Sequence, residues 1–505
     1  MKKLIPIFAS TMLFLSACGG VGKLPVDPTT SEKPGTMLSY ESSSSYDAEY
    51  LNSAVHKGLC PNGTDCTQNF ANAATDFKFH AESIVNSTQN YSMLYSTVGV
   101  MAENRAVSGG VIIPNLPESQ IKGVVLYYHE TEVSKKNAPS CFHNPPTLKA
   151  YCSSDDIQTY GEELGGIIAA SGYIVVMPDY IGLGFDRNIM HPYVLYPEVN
   201  ALSGLYMLQA TNMMLAKLGY QTEVMNLYIT GFSEGGAYAL WASNMLQNIS
   251  PNFLSNTQFK LKATVGMSGA YDLVKAQMPM EEASITEGDS YNVSNNDTAT
   301  YAKPTISSYT MTAYGFYDLD QTYTDVFNTE VGNGFYYCLG CADVFGSLYK
   351  VPELYLKPDL EDSKIKSALY QSALLVSYGP QNANNSVRPL VNTAILMDQK
   401  FNQALEYASI TVWKTTSPVT LISLAQDSVV TNLNTQNAYN GLINKSELNL
   451  VQRVIIENSR GSSRYMVNNV DPITDQTALM PLDHIGSGYY QLIAAMNVIN
   501  QYQAQ

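Results

Sequence analysis

The sequence predicts an α/β chain built on a mostly parallel, doubly wound sheet, with an antiparallel hairpin at its start and a large inserted cap. Three observations predict it. Segments 91–100 and 105–114 carry β-rich, partly alternating residues around a turn. Short, nearly all-apolar runs then alternate with segments of helical spacing. Finally, about 150 residues separate the last two of those runs, where a simple crossover needs a few dozen.

Taken in order, Val-Val-Leu-Tyr-Tyr-His at 124–129 and Tyr-Ile-Val-Val-Met at 173–177 suit strands buried on both faces. Between them, 160–170 has helical spacing and stops at Ser171-Gly172. Residues 202–218 are apolar at helical intervals and end at Gly219. A strand follows at 226–230, a helix from Ala237, and strands at 263–267 and 419–424. Hairpin first, then repeated β–α units, is the pattern of a parallel sheet with an antiparallel edge. The core is expected over 50–271 and 410–505, and the cap over 272–409. The cap's first half is dense in aromatics such as Tyr309, Tyr314 and Tyr317. Its second half reads as helical at 364–377 and 392–409.

The first residues read as an export signal. Lys2 and Lys3 precede a mostly apolar stretch to Ala17, too short for a permanent membrane helix. It ends in Leu15-Ser16-Ala17-Cys18, which resembles the bacterial lipobox. The resemblance implies removal of residues 1–17 and acylation of Cys18, and Gly19 after it favours the outer membrane. An ordinary signal peptide with a chance cysteine is the alternative. Residues 18–49, rich in Ser, Thr, Pro and Gly, are expected to be a flexible tether. No later run of about 18 apolar residues appears, so the body is expected to be soluble.

Removing Lys2 and Lys3 from 28 basic residues against 44 acidic ones leaves a net charge of −18. Clustered Lys and Arg are missing, which argues against nucleic acid and against anionic polymers as partners. Besides Cys18 there are six cysteines, Cys60, Cys66, Cys141, Cys152, Cys338 and Cys341. Their spacing suggests the local pairs 60–66, 141–152 and 338–341, although six cysteines allow about 15 pairings. Cys338-Leu-Gly-Cys341 could instead be half a zinc knuckle or a redox motif, but no second CxxC or paired His sits near it.

The sharpest motif is Gly231-Phe232-Ser233-Glu234-Gly235, following an expected strand and opening an expected helix. So tight a turn requires small residues two positions either side of the serine. It also exposes the hydroxyl at a helix N-terminus, where free N–H groups favour developing negative charge. A serine needs a base, and the order for this architecture is Ser, acid, His. Of the histidines at 56, 80, 129, 143, 191 and 484, only His484 follows Ser233. Asp427, just after the 419–424 strand, is the best match for the acid, with Asp471, Asp475 and Asp483 as rivals. The expected oxyanion donors are the N–H of Glu234 and one from the loop His129-Glu130-Thr131-Glu132, with Thr131 the candidate.

Gly-Phe-Ser-Glu-Gly-Gly at 231–236, Asp-Tyr-Ile-Gly-Leu-Gly at 179–184 and His-Pro-Tyr at 191–193 together resemble the secretory-lipase-related branch of the α/β-hydrolase superfamily. The resemblance runs with gaps from about residue 91 to the end. It implies the α/β-hydrolase fold, carboxylic-ester hydrolysis without metal or cofactor, and a cap that shapes the acyl pocket. That branch often has His-Gly-Thr where this chain has His129-Glu130-Thr131. Asp179 and His191 read as structural.

The sequence therefore predicts an exported, membrane-anchored esterase or lipase acting on a small-molecule or lipid ester through Ser233, His484 and Asp427. A serine peptidase on the same fold and a non-catalytic surface lipoprotein are the rivals. Acyl specificity and oligomeric state are not legible.

Overall fold

The computed structural model describes residues 28–80, 84–132, 138–141, 160–220, 224–281, 306, 309–310, 313–314, 317, 398–459, 463–470, 477–484 and 486–505. The lipobox with Cys18, the cap interior apart from the isolated positions above, and Cys152, Cys338 and Cys341 lie outside them. Cys60 pairs with Cys66 as its spacing suggested, and Cys141 is also disulfide-bonded.

Among the described residues nine strands form one sheet in the order β1-β2-β3-β5-β4-β6-β7-β8-β9. They are β1 Met37–Tyr46, β2 Thr88–Val98, β3 Asn104–Pro114, β4 Val124–Tyr128, β5 Ile174–Pro178, β6 Met225–Phe232, β7 Phe259–Met267, β8 Val419–Leu424 and β9 Val451–Ile456. From β5 through β9 every neighbouring pair is parallel, whereas β1, β2, β3 and β5 pair antiparallel. The hairpin expected at 91–114 is β2 and β3, in register from Thr88↔Pro114 to Val98↔Asn104.

Alternation along β4 shows why its run is all apolar. Val124, Leu126 and Tyr128 join one core, while Val125 and Tyr127 join the other. Successive side chains on a strand point to opposite faces, so a strand covered on both sides must be apolar throughout. Helices α4 Pro197–Lys217, α5 Glu234–Asn244 and α7 Asn432–Ile443 fill the first core. Helices α1 Ala48–Leu59, α3 Tyr160–Ala170 and α8 Gly488–Gln503 fill the second. Helix α2 Thr67–Phe77 packs beside α8, near a small hairpin of β10 Met466–Val470 and β11 Thr477–Pro481.

The expected tether over 18–49 needs correction where it is described. Residues 37–46 are edge strand β1, paired with β2 from Met37↔Tyr95 to Tyr46↔Thr88. Even Pro28 is engaged, its carbonyl accepting from Ala106 N at 2.6 Å. A Ser-rich composition signals too little apolar surface to fold alone. An edge strand, however, is held by main-chain hydrogen bonds to a neighbour, and Met37 and Tyr46 suffice to anchor its ends in the core. After β7 the chain runs into a π-helical turn at Leu273–Gln277, and before β8 it passes through helix α6 Gln399–Ala408, which overlaps the helical segment expected at 392–409. The helical reading at 364–377 lies outside the described residues.

Candidate active site

Strand β6 delivers Ser233 and helix α5 begins immediately after it. Ser233 sits at φ 56°, ψ −119°, a backbone region that a non-glycine residue occupies only under constraint. The flanking glycines are sterically compelled. A Cβ on Gly231 would overlap the Gly235 carbonyl, and one on Gly235 would overlap the carbonyls of Tyr128 and His129. These obstacles are backbone atoms, which cannot swing aside. As the first helical residue, Glu234 has no intrahelical carbonyl for its N–H to meet.

Asp427 follows β8 by three residues and His484 follows β11 by three. The parallel strands β6 and β8 end at one edge of the sheet and bring Asp427 toward Ser233, while the separate β10–β11 hairpin delivers His484 to the same place. His484 Nδ1 lies 2.8 Å from Asp427 Oδ2, and His484 Nε2 lies 2.8 Å from Ser233 Oγ. A carboxylate only accepts, so Nδ1 carries the hydrogen and the Nε2 lone pair faces the serine hydroxyl. The other Asp427 oxygen accepts from Val429 N at 3.0 Å and Val430 N at 2.8 Å, which fixes the carboxylate plane. Phe232 stacks on the imidazole at 5.1 Å, and all three side chains are buried.

Of the rival acids, Asp471 and Asp475 lie outside the described residues. Asp483 turns its carboxylate to Ser428 rather than to the imidazole. Thr131 and Glu234 line one cavity with Ser233, so both expected oxyanion donors border the nucleophile. Tyr193, Val194, Ala270, Ile306 and Tyr309 complete the lining.

Glu234 is itself buried. Burial pushes its carboxyl up, but the charge of His191 and hydrogen bonds from His191, Tyr238 and Thr131 outweigh this and hold it below the usual carboxylate range. Nearby His129 donates from Nδ1 to Glu130 O at 2.7 Å, and burial pushes it down to about 4.

No protein-family model matches the chain, and no curated protein matches it. Among solved structures, a Legionella pneumophila protein provisionally designated a hydrolase aligns with a TM-score of 0.61 at 18% identity, covering 93% of this chain and 98% of that one. A rice cell wall degrading esterase, LipA of Xanthomonas oryzae, aligns with a TM-score of 0.56 at 17% identity, covering 94% and 100%. The chain has the α/β-hydrolase fold. Within that α/β-hydrolase fold the serine, acid and histidine follow β6, β8 and β11 in the chain order expected from sequence.

Sequence reasoning missed the supports of these loops. Asn458 Nδ2 donates to Gln426 O and Leu482 O, each at 2.5 Å, and its Oδ1 accepts from Gln426 N at 2.7 Å. One buried amide therefore ties the chain just before Asp427 to the chain just before His484. An Asn after an unrecognised strand carries no local signal of that role.

Proposed function

We propose that this chain is a serine carboxylic-ester hydrolase, an esterase or lipase working through an acyl-enzyme. The observation that carries the reading is the continuous hydrogen-bonded path from Ser233 Oγ through His484 to Asp427, beginning on a strained turn at a helix N-terminus. Ser233 Oγ attacks the ester carbonyl as His484 Nε2 takes its proton, and Asp427 holds the imidazole and stabilises its cationic form. The N–H groups of Glu234 and Thr131 receive the developing oxyanion. His484 then returns the proton to the departing alcohol, and water, activated by the same nitrogen, releases the acid.

Ester as the bond attacked is supported by the likeness to an esterase and by the largely apolar cavity wall of Val194, Ala270 and Ile306. The lipobox resemblance supports export, acylation at Cys18 and an outer-membrane anchor.

The test is covalent labelling with a fluorophosphonate and mapping of the modified peptide. The reading predicts one adduct on Ser233, absent from Ser233→Ala. Folded protein that takes no label, or label that persists in Ser233→Ala, would contradict it.

A further inference from the structure

His191 closes a ring of hydrogen bonds beside the nucleophile turn. Its Nδ1 lies 2.7 Å from Ile181 O, and its Nε2 lies 2.7 Å from Glu234 Oε1. The Tyr238 hydroxyl reaches the same Oε1. Asn200 Nδ2 donates to that hydroxyl at 2.9 Å, and Asn200 Oδ1 accepts from Ile181 N at 3.1 Å.

The proton inventory of this ring follows from its chemistry. Ile181 N can only donate, so the Asn200 oxygen faces it and the Asn200 amide nitrogen faces Tyr238. Tyr238 therefore directs its own hydrogen at Glu234. Ile181 O can only accept, so His191 Nδ1 carries a hydrogen. The contact from Nε2 to Oε1 then joins two atoms that need one proton between them. With that proton the pair is an imidazolium and a carboxylate, neutral as a unit.

The surroundings favour this charged form. The His191 ring lies parallel to Tyr180, 5.7 Å away at 8°, and edge-on to Tyr193 at 4.5 Å. An aromatic face attracts a cation. Tyr180 at φ 76° and Tyr193 at φ 48° both hold left-handed backbone, which bulky residues adopt only where the structure enforces it. Both strained residues clasp the same imidazole.

We infer that His191 is a positioning residue for the hydrolysis proposed above, its charge cancelling that of Glu234 so that negative charge can develop at the Glu234 N–H. The inference rests on that reading of Ser233. A buried carboxylate beside the oxyanion site would repel the transition state far more than the neutral substrate, so its compensation acts on kcat rather than on KM.

The titratable groups facing the pair are Tyr238 on α5, Tyr180 after β5, His129, Glu130 and Glu132 after β4, Tyr193 on the His191 loop, and Tyr309 of the cap. Burial holds Tyr180, Tyr238 and Tyr309 above the phenol range and His129 near 4, so these four do not titrate around neutrality.

The experiment measures kcat and KM on p-nitrophenyl butyrate from about pH 5 to 9 for wild type, His191→Phe, Glu234→Gln and the double variant. His191→Phe is expected to lower kcat at least about tenfold with KM within about twofold. Adding Glu234→Gln removes the uncompensated carboxylate and restores most of the loss. Wild-type kcat in folded His191→Phe, or a double variant worse than the single one, overturns the inference. Should His191→Phe not fold, His191→Gln gives the same uncharged comparison. Ser233→Ala, assayed alongside, separates the two claims, because activity surviving there overturns the hydrolase reading itself.

Discussion

Asp483 grips Ser428 across two loops: its Oδ1 accepts from Ser428 N at 3.0 Å, and its Oδ2 accepts from the Ser428 hydroxyl. The same Oδ1 accepts from His484 N at 2.8 Å. Ser428 follows Asp427 and Asp483 precedes His484, so this carboxylate sets the spacing between the proposed acid and base. Asp483→Ala should lower kcat by about 10- to 100-fold with KM little changed, since small misplacements of catalytic groups cost that much. Asp483→Asn, which keeps an acceptor oxygen for the two N–H groups, should fall between it and wild type. Steady-state ester hydrolysis checks both, and an unchanged kcat in Asp483→Ala would remove the brace from the account.

The nucleophile turn makes a second prediction. A methyl on Gly235 would press on the backbone carbonyls of Tyr128 and His129, which belong to β4 and its exit. Gly235→Ala should destabilise the protein by about 2–3 kcal/mol, the usual cost of overpacking against rigid neighbours. Urea unfolding measures it, and a change under about 0.5 kcal/mol would show that the turn can yield.

His129 sets a pH dependence of stability. Burial depresses its folded value to about 4 from the usual 6.5, so between these values the unfolded chain binds more protons. Its contribution is present above about 6.5 and is lost as pH falls toward 4, a change of about 3 kcal/mol. Asp179 runs the other way. Burial raises it to about 6 from 3.8, so its contribution is present at low pH and lost as pH rises through 6. The clean observable is therefore the difference between wild type and His129→Gln. That difference should shrink as pH is lowered from about 6.5 to 4, and a difference constant with pH would contradict the assignment.

The legible parts of this protein are those whose signal is local or ordinal. The flanking glycines mark the turn at Ser233 by their spacing, although only the clash at Gly231 is local, with Gly235, while Gly235 avoids the carbonyls of Tyr128 and His129. Chain order alone selected His484, and the buried strands β4 and β5 announced themselves as nearly continuous apolar runs. What escaped was held by distant partners. Strand β1 is Ser-rich and exists by pairing with β2, some 50 residues on. Among the described residues strand β9 pairs only with β8, and it exposes Gln452, Arg453 and Ile455, so its apolar character is diluted. His191 reads as structural from sequence, but the partner it supports, Glu234, lies 43 positions away and reveals itself only through geometry. Asp483 adjoins the histidine in sequence yet serves Ser428, 55 residues distant.

The central claim is that Ser233 and His484 act as one chemical unit. The most direct measurement is kcat/KM on p-nitrophenyl esters for wild type, Ser233→Ala, His484→Ala and the double variant. Each single substitution is expected to lower the rate by about 10⁴-fold or more, and the double variant to be no worse than either single one. Substantial hydrolysis in folded Ser233→Ala, or losses that multiply in the double variant, would contradict it.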